Sequence, residues 1–284
     1  MIGFSQLDCR RGQKTALMTP VFQQTLPYAP WMHPATRRMP GVQPLDLCDW
    51  ITCDDAFGGQ MALRDALIGQ RRDEVFACLP EAEDAALETL AYILAHLPQG
   101  FTRRGQKLTR PDGVEIDLEA DHPLIIAGRL VQQDIALLMK EQGEVEHRLV
   151  GAILCFPASW TLAEKIGRPL AAIHTPVKPY TGEMATRVQR LFDMVREDRP
   201  LWRQNALLYG SPDLFHPRSE VQPRVKAEIR PDYLRSERQC ILRLPQTGAV
   251  IFSIHTYLLR FADLSADQVA ALEQHPIDYA GRNL

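Results

Sequence analysis

A chain of 284 residues, 45% apolar and 24% charged, has an ordinary globular composition and is long enough to bury a substantial core. Its formal net charge of −3 offers no basic field to nucleic acid. No apolar run is long enough to cross a bilayer, the opening residues lack the charged head and apolar stretch of a secretory signal, and the scattered cysteines suggest reduced thiols in a cytoplasm.

The first predicted element is an extended segment. Residues 19–50 are rich in proline and aromatics and read as a strap laid over a core, with Asp46 opening a short helix or turn. EAEDAALETLAYILAHLP follows as the clearest helix. Leu87, Leu90, Ala91, Leu94 and Leu97 recur at helical spacing, acids fill the first turn, and Pro98 stops it. DGVEIDL alternates from Asp112 and begins a sheet, and DHPLIIAGRL allows a helix. DIALLM pairs with HRLVGAILCFP across KEQGEVE as a hairpin. GEMATRVQRLFDMVREDRP predicts a second helix running to Pro200. RQCILRLPQTGAVIFSIHTYLL is the strongest hairpin, with Gly248 where the turn favours positive φ. SADQVAALEQH closes the chain as a short helix capped by Ser265. Two hairpins, further strands and interspersed helices make an α+β fold with an antiparallel sheet. No G-x-G-x-x-G or G-K-[ST] occurs, so neither a dinucleotide nor an ATP site is argued.

The six cysteines, at 9, 48, 53, 78, 155 and 240, include no C-x-x-C pair, which argues against a zinc ribbon or an iron–sulfur cluster held by this chain. The eight histidines include no H-x-H or H-x-x-x-H, so adjacent metal ligands are not signalled. A site needing one protein ligand remains open. Haem is the common case, because the porphyrin supplies four nitrogens. His174 stands among Pro169, Pro176 and Pro179, either as a ligand on a stiff loop or as a cap on a buried carbonyl. His255 is its rival. Alternation places Ile251, Ser253, His255 and Tyr257 on one strand face, which is either solvated or pocket-lining. Arg235, Glu237, Arg238 and Arg243 fall within nine residues. They form a solvated edge strand, or a binding wall in which arginine holds an anion and Glu237 pairs with a cationic amine or moves a proton. Tyr257 would add an aromatic face or a hydrogen bond. Ser159 in FPASW reads as a turn or N-cap serine, since no G-x-S-x-G is present.

CFPASWTLAEKIGRPLAAIHTPVKPY and LRSERQCILRLPQTGAVIFSIHTYL together resemble the haem-dependent oxidative N-demethylase α-subunit-like family. PGVQPLDLCDWI and VFACLPEAEDAALETLAYILAHLP fit the same pattern in order, so the resemblance covers roughly residues 28–265. It implies a PAS-like antiparallel sheet flanked by helices and holding haem b, here as one haem-binding domain over residues 1–284 with an extended N-terminal segment to about 50. It implies oxidation of a small secondary amine such as dimethylamine by O2, with release of formaldehyde. Electrons would come from NADPH through FMN and a 2Fe–2S cluster on a separate reductase subunit, and further small subunits are possible partners. By motif, His174 becomes the expected iron ligand. Arg235, Arg238 and His255 become expected cofactor-binding residues, and Glu237 and Tyr257 expected catalytic ones. Two positions depart from the family pattern, which usually has arginine at 255 and an acid near Gln133. The other reading of a PAS-like fold is a haem or small-ligand sensor without turnover.

Overall fold

The computed structural model describes residues 21–38, 40–141, 143–174, 182–220 and 232–277, with backbone alone at 174 and 182–185. The chain runs β1 (Gln43–Pro44), α1 (Phe57–Gln70), α2 (Arg72–Val75), β2 (Phe76–Cys78) and α3 (Glu83–Ala95). Next come β3 (Thr102–Arg104), β4 (Lys107–Thr109), β5 (Glu115–Asp117), α4 (Pro123–Leu130), β6 (Asp134–Met139) and β7 (Arg148–Ile153). A crossover through α5 (Leu170–His174) and α6 (Gly182–Met194) leads to β8 (Leu201–Tyr209), β9 (Tyr233–Arg243), β10 (Val250–Arg260) and α7 (Ala266–Gln274). The main sheet has the order β1-β8-β9-β10-β6-β7-β2, and every pairing in it is antiparallel. The α+β class expected from the sequence is therefore the observed one.

The two long hairpins form as expected, and both strands of the second run for eleven residues. Gly248 turns it at φ 69°. Ser265 caps α7 in a full capping box with Gln268. Asp46 accepts from the Cys48 N–H and opens a single 3-10 turn. Elsewhere the structure corrects the sequence reading. DGVEIDL does not enter the main sheet: β5 is the last strand of a separate three-stranded sheet, β3-β4-β5. Leu87 is 58% exposed, because the buried stripe of α3 runs through Ala85, Ala86, Thr89, Leu90 and Ile93. The second helix stops at Met194, well before Pro200. Arg243 donates to the carbonyls of Phe192 and Val195 there, which satisfies groups that a helix end leaves open. Beyond it LWRQNALLY forms a full strand, and α1 forms where the sequence reading assigns no element. His174 ends a short helix instead of lying on a loop. Ser159 caps no helix and sits in a turn at φ 63°, where a side chain is strained.

The sheet is covered on both sides. On its back, α4 lies close to β7, and the main apolar cluster gathers Leu124, Ile125, Ile135, Leu137, Ile153 and Ile251. On its front, Leu170, Phe192 and Val195 from the crossover pack on Ala136, Leu138, Ile241 and Val250. A Cβ on Gly128 would stand 2.4 Å from Ile153 Cγ1, on a branched side chain that cannot swing aside. Gly128→Ala is therefore expected to destabilise the fold by about 1–3 kcal/mol, seen as a lower urea midpoint at unchanged slope.

Candidate functional site

The β8–β9–β10 register decides which side chains share a surface. Thr256, Glu237 and Asn205 stand directly opposite one another, as do His255, Arg238 and Gln204 in the next row. Successive residues of a strand point to opposite faces. Glu237 and Arg235 therefore face front, toward the side that α5 and α6 cover. Arg238, His255 and Tyr257 face back, under the N-terminal segment. The sequence reading gathers these residues at one site, but the structure divides them between two.

On the front, Glu237 is a fixed carboxylate, 12% exposed at its side chain. Its Oε1 accepts from Arg235 Nε (3.2 Å), and its Oε2 accepts from Asn205 Nδ2 (3.3 Å) and Gln239 Nε2 (3.2 Å). Arg203 in turn donates to Gln239 Oε1 at 2.8 Å. Arg235 is buried, and its other two nitrogens donate to the carbonyls of Leu214 and Phe156. These contacts engage the guanidinium with protein acceptors and make it a support for Glu237. A carboxylate offers about four acceptor positions. The described residues fill three at Glu237, and the remaining one lies on Oε1. Thr256, directly across from Glu237, is 1% exposed, and its hydroxyl has no partner among the described residues.

His174 belongs to the segment on this same side, since Leu170 and Ile173 pack on the front-face cluster. Its side chain lies outside the described residues, as do residues 175–181.

On the back, Arg238 donates to the carbonyls of Asp49 (2.7 Å) and Trp50 (3.3 Å) and stacks on Trp202. Trp50 Nε1 donates to Ser253 Oγ at 2.8 Å. Tyr257 bonds Thr52, and burial pushes its phenol up to about 12. Arg238 and Tyr257 line a cleft of about 570 Å³ between the sheet and the strap, together with Tyr28, Asp49, Trp202 and Gln204. His255 is buried against Asp54, with Nε2 and Oδ2 2.9 Å apart. Gln23 and Gln132 also donate to Asp54, at 2.8 and 2.9 Å. Gln133 is buried beside the Trp50 carbonyl. Both departures from the family pattern, His255 and Gln133, thus lie on the strap side, away from Glu237.

Sequence reasoning missed Asn205, Gln239, Thr256 and Asp54. Alternation along LWRQNALLY would have exposed Asn205 had that run been read as a strand. Asp54 is 201 residues from His255 and carries no local signal.

An α+β protein with a strapped back face and a half-buried polar wall on its front is the class that fold and site define. Residues 41–278 match the family model described as haem-dependent oxidative N-demethylase, alpha subunit-like. The chain belongs to that family.

Burial pushes the Asp54 carboxyl up, but hydrogen bonding and charge from His255, aided by Gln132 and Gln23, outweigh it and leave Asp54 below its ordinary value. A depressed carboxyl contributes stability that is present above its unfolded pKa and lost as pH falls through its folded one. Melting temperature is therefore expected to fall with pH below about 4, and Asp54→Asn to start lower at neutral pH and flatten that acid limb. Thermal melts from pH 7 to 3 check it.

Proposed function

We propose that this chain holds haem b against the front face of its sheet and N-demethylates a small secondary amine, dimethylamine-like, with O2. In this reading the five strands β8-β9-β10-β6-β7 and their α5–α6 crossover are the PAS-like body. Electrons would arrive from NADPH through FMN and a 2Fe–2S cluster on a partner reductase subunit. The observation that carries the reading is the anchored Glu237 carboxylate opposite the unpartnered, buried Thr256 hydroxyl, on the face to which α5 brings His174.

What supports such a group here is the apolar end of the front face, lined by Leu170, Phe192 and Val195, beside the α5 backbone that carries His174. One imidazole suffices to hold haem iron, and His174 is our candidate for it. When bound, haem would supply the O2 chemistry that oxidises a carbon attached to nitrogen. The chain supplies recognition and proton handling. A dialkylammonium ion carries two N–H groups. Glu237 Oε1 and Thr256 Oγ1 are two open acceptors on paired strands, about 4.5–5.5 Å apart at their Cβ atoms. Glu237 neutralises the cation and accepts its proton at Oε1, which frees the nitrogen lone pair. Arg235, Asn205 and Gln239 hold the carboxylate still, so little reorganisation accompanies that transfer.

Absorption spectra and formaldehyde assays test this. Purified chain is expected to show a Soret band that His174→Ala loses or shifts. With reductant and O2, Glu237→Gln should keep the band and release formaldehyde from dimethylamine at least about 100-fold more slowly. A wild-type chain without a Soret band after haem loading, or full turnover in Glu237→Gln, contradicts the proposal.

A further inference from the structure

We infer that Lys165 is a positioning residue for the iron ligand proposed at His174, and this rests on the haem reading above. Lys165 is a buried cation, 3% exposed, in the turn before α5. Its Nζ donates to the Ile173 carbonyl at 2.7 Å and to the Glu220 carboxylate. Arg168 stands 3.5 Å from the other oxygen of Glu220. The preceding residue, Glu164, grips the same partner segment. Its carboxylate accepts from Ser219 Oγ at 2.6 Å, from the Glu220 N–H at 3.2 Å and from Thr161 Oγ1 at 2.6 Å.

Glu164 and Lys165 thus form a clasp. It ties the last turn of α5 to residues 219–220, which come from the far side of β8 in the sequence. The Ile173 carbonyl is a backbone acceptor, and an ammonium that bonds it gives a charge-assisted hydrogen bond. Ile173 is also packed on the front-face cluster through its side chain. The residue before His174 is therefore held from two sides, by apolar contact and by Lys165. Both partners of Lys165 among the described residues, a carboxylate and a backbone carbonyl, are protein groups, which suits a structural tether. Its role is to set the backbone position from which residue 174 projects. Partners that orient a metal ligand in this way commonly alter affinity by about 10–100-fold when removed.

The test compares wild type, Lys165→Met, Lys165→Arg and Glu220→Gln as full chains, first without haem and then titrated with hemin. Without haem, amide exchange over residues 170–174 should speed up at least about tenfold in Lys165→Met relative to wild type, with the β9–β10 amides unchanged. With hemin, Lys165→Met should bind about 10–100-fold more weakly and show a shifted ferric spectrum, and Lys165→Arg should recover most of both. Glu220→Gln keeps the ammonium on Ile173 and should fall between, so the comparison survives if Lys165→Met does not fold. Unchanged exchange in the haem-free variants overturns the clasp, whatever haem does. Normal hemin affinity and spectrum in Lys165→Met overturn its positioning role. Faster exchange in Lys165→Met together with a wild-type chain that takes up no hemin leaves the clasp standing and overturns the haem reading alone.

Discussion

The pairing of β9 with β10 is the constraint on which the rest of the molecule depends. Eleven residues on each strand are locked in one antiparallel register, and β8 extends that register across nine more. Because side chains alternate with a period of two, a shift of one residue would exchange the two faces completely. The register makes Glu237 and Thr256 neighbours on one surface and sends Arg238, His255 and Tyr257 to the other. Two buried polar systems then fix it from outside the ladder. Arg235 ties β9 to the Phe156 and Leu214 carbonyls in front, and Trp50 and Asp54 bond Ser253 and His255 behind.

In the proposed reading the two faces have different tasks. The back is a closure. Arg238, Ser253, His255 and Tyr257 each find a partner in residues 49–54, so the strap is held by hydrogen bonds that cost much to leave unmade in a buried setting. The front is built at its two ends and polar between them. Apolar contacts from α5 and α6 fill one end, and Tyr209, Arg235 and Leu214 fill the other. Glu237 lies four residues along β9 from Ile241, about 13 Å from the apolar end. A carboxylate braced by three donors, with a bare hydroxyl beside it, suits a small cation. In the proposed reading Arg235, whose nitrogens bond Glu237 and the Leu214 and Phe156 carbonyls, braces that carboxylate.

Much of this was legible in the sequence. The two hairpins, the Ser265 cap and the α3 helix follow from local period and turn chemistry, which act over a few residues. Family membership followed from two long motifs. What escaped depended on tertiary context. LWRQNALLY mixes apolar and polar residues without strict alternation, because one of its faces carries Arg203 and Asn205 and the other Trp202 and Gln204, and all four are at least half-buried. Motifs drew attention to Arg235, Glu237, Arg238, His255 and Tyr257, and alternation set His255 and Tyr257 on one face of β10, but which face each strand turns to the other, and hence that Thr256 and Asn205 stand beside Glu237, needs the register of β8, β9 and β10. Likewise the pairing of Asp54 with His255, and of Lys165 with Glu220, joins residues whose separation in the chain leaves no periodic trace.

The central claim is that ligand chemistry belongs to the Glu237 face and structural closure to the Tyr257 face. Titrating haem-loaded protein with dimethylammonium while recording the ferric spectrum tests this directly, with Thr256→Val representing the front and Tyr257→Phe the back. The account predicts that Thr256→Val weakens the amine-induced spectral change about tenfold, as the loss of one buried hydrogen bond would, and that Tyr257→Phe leaves it as in wild type. Loss of the response in Tyr257→Phe with an intact response in Thr256→Val would place the amine on the strapped face and contradict it.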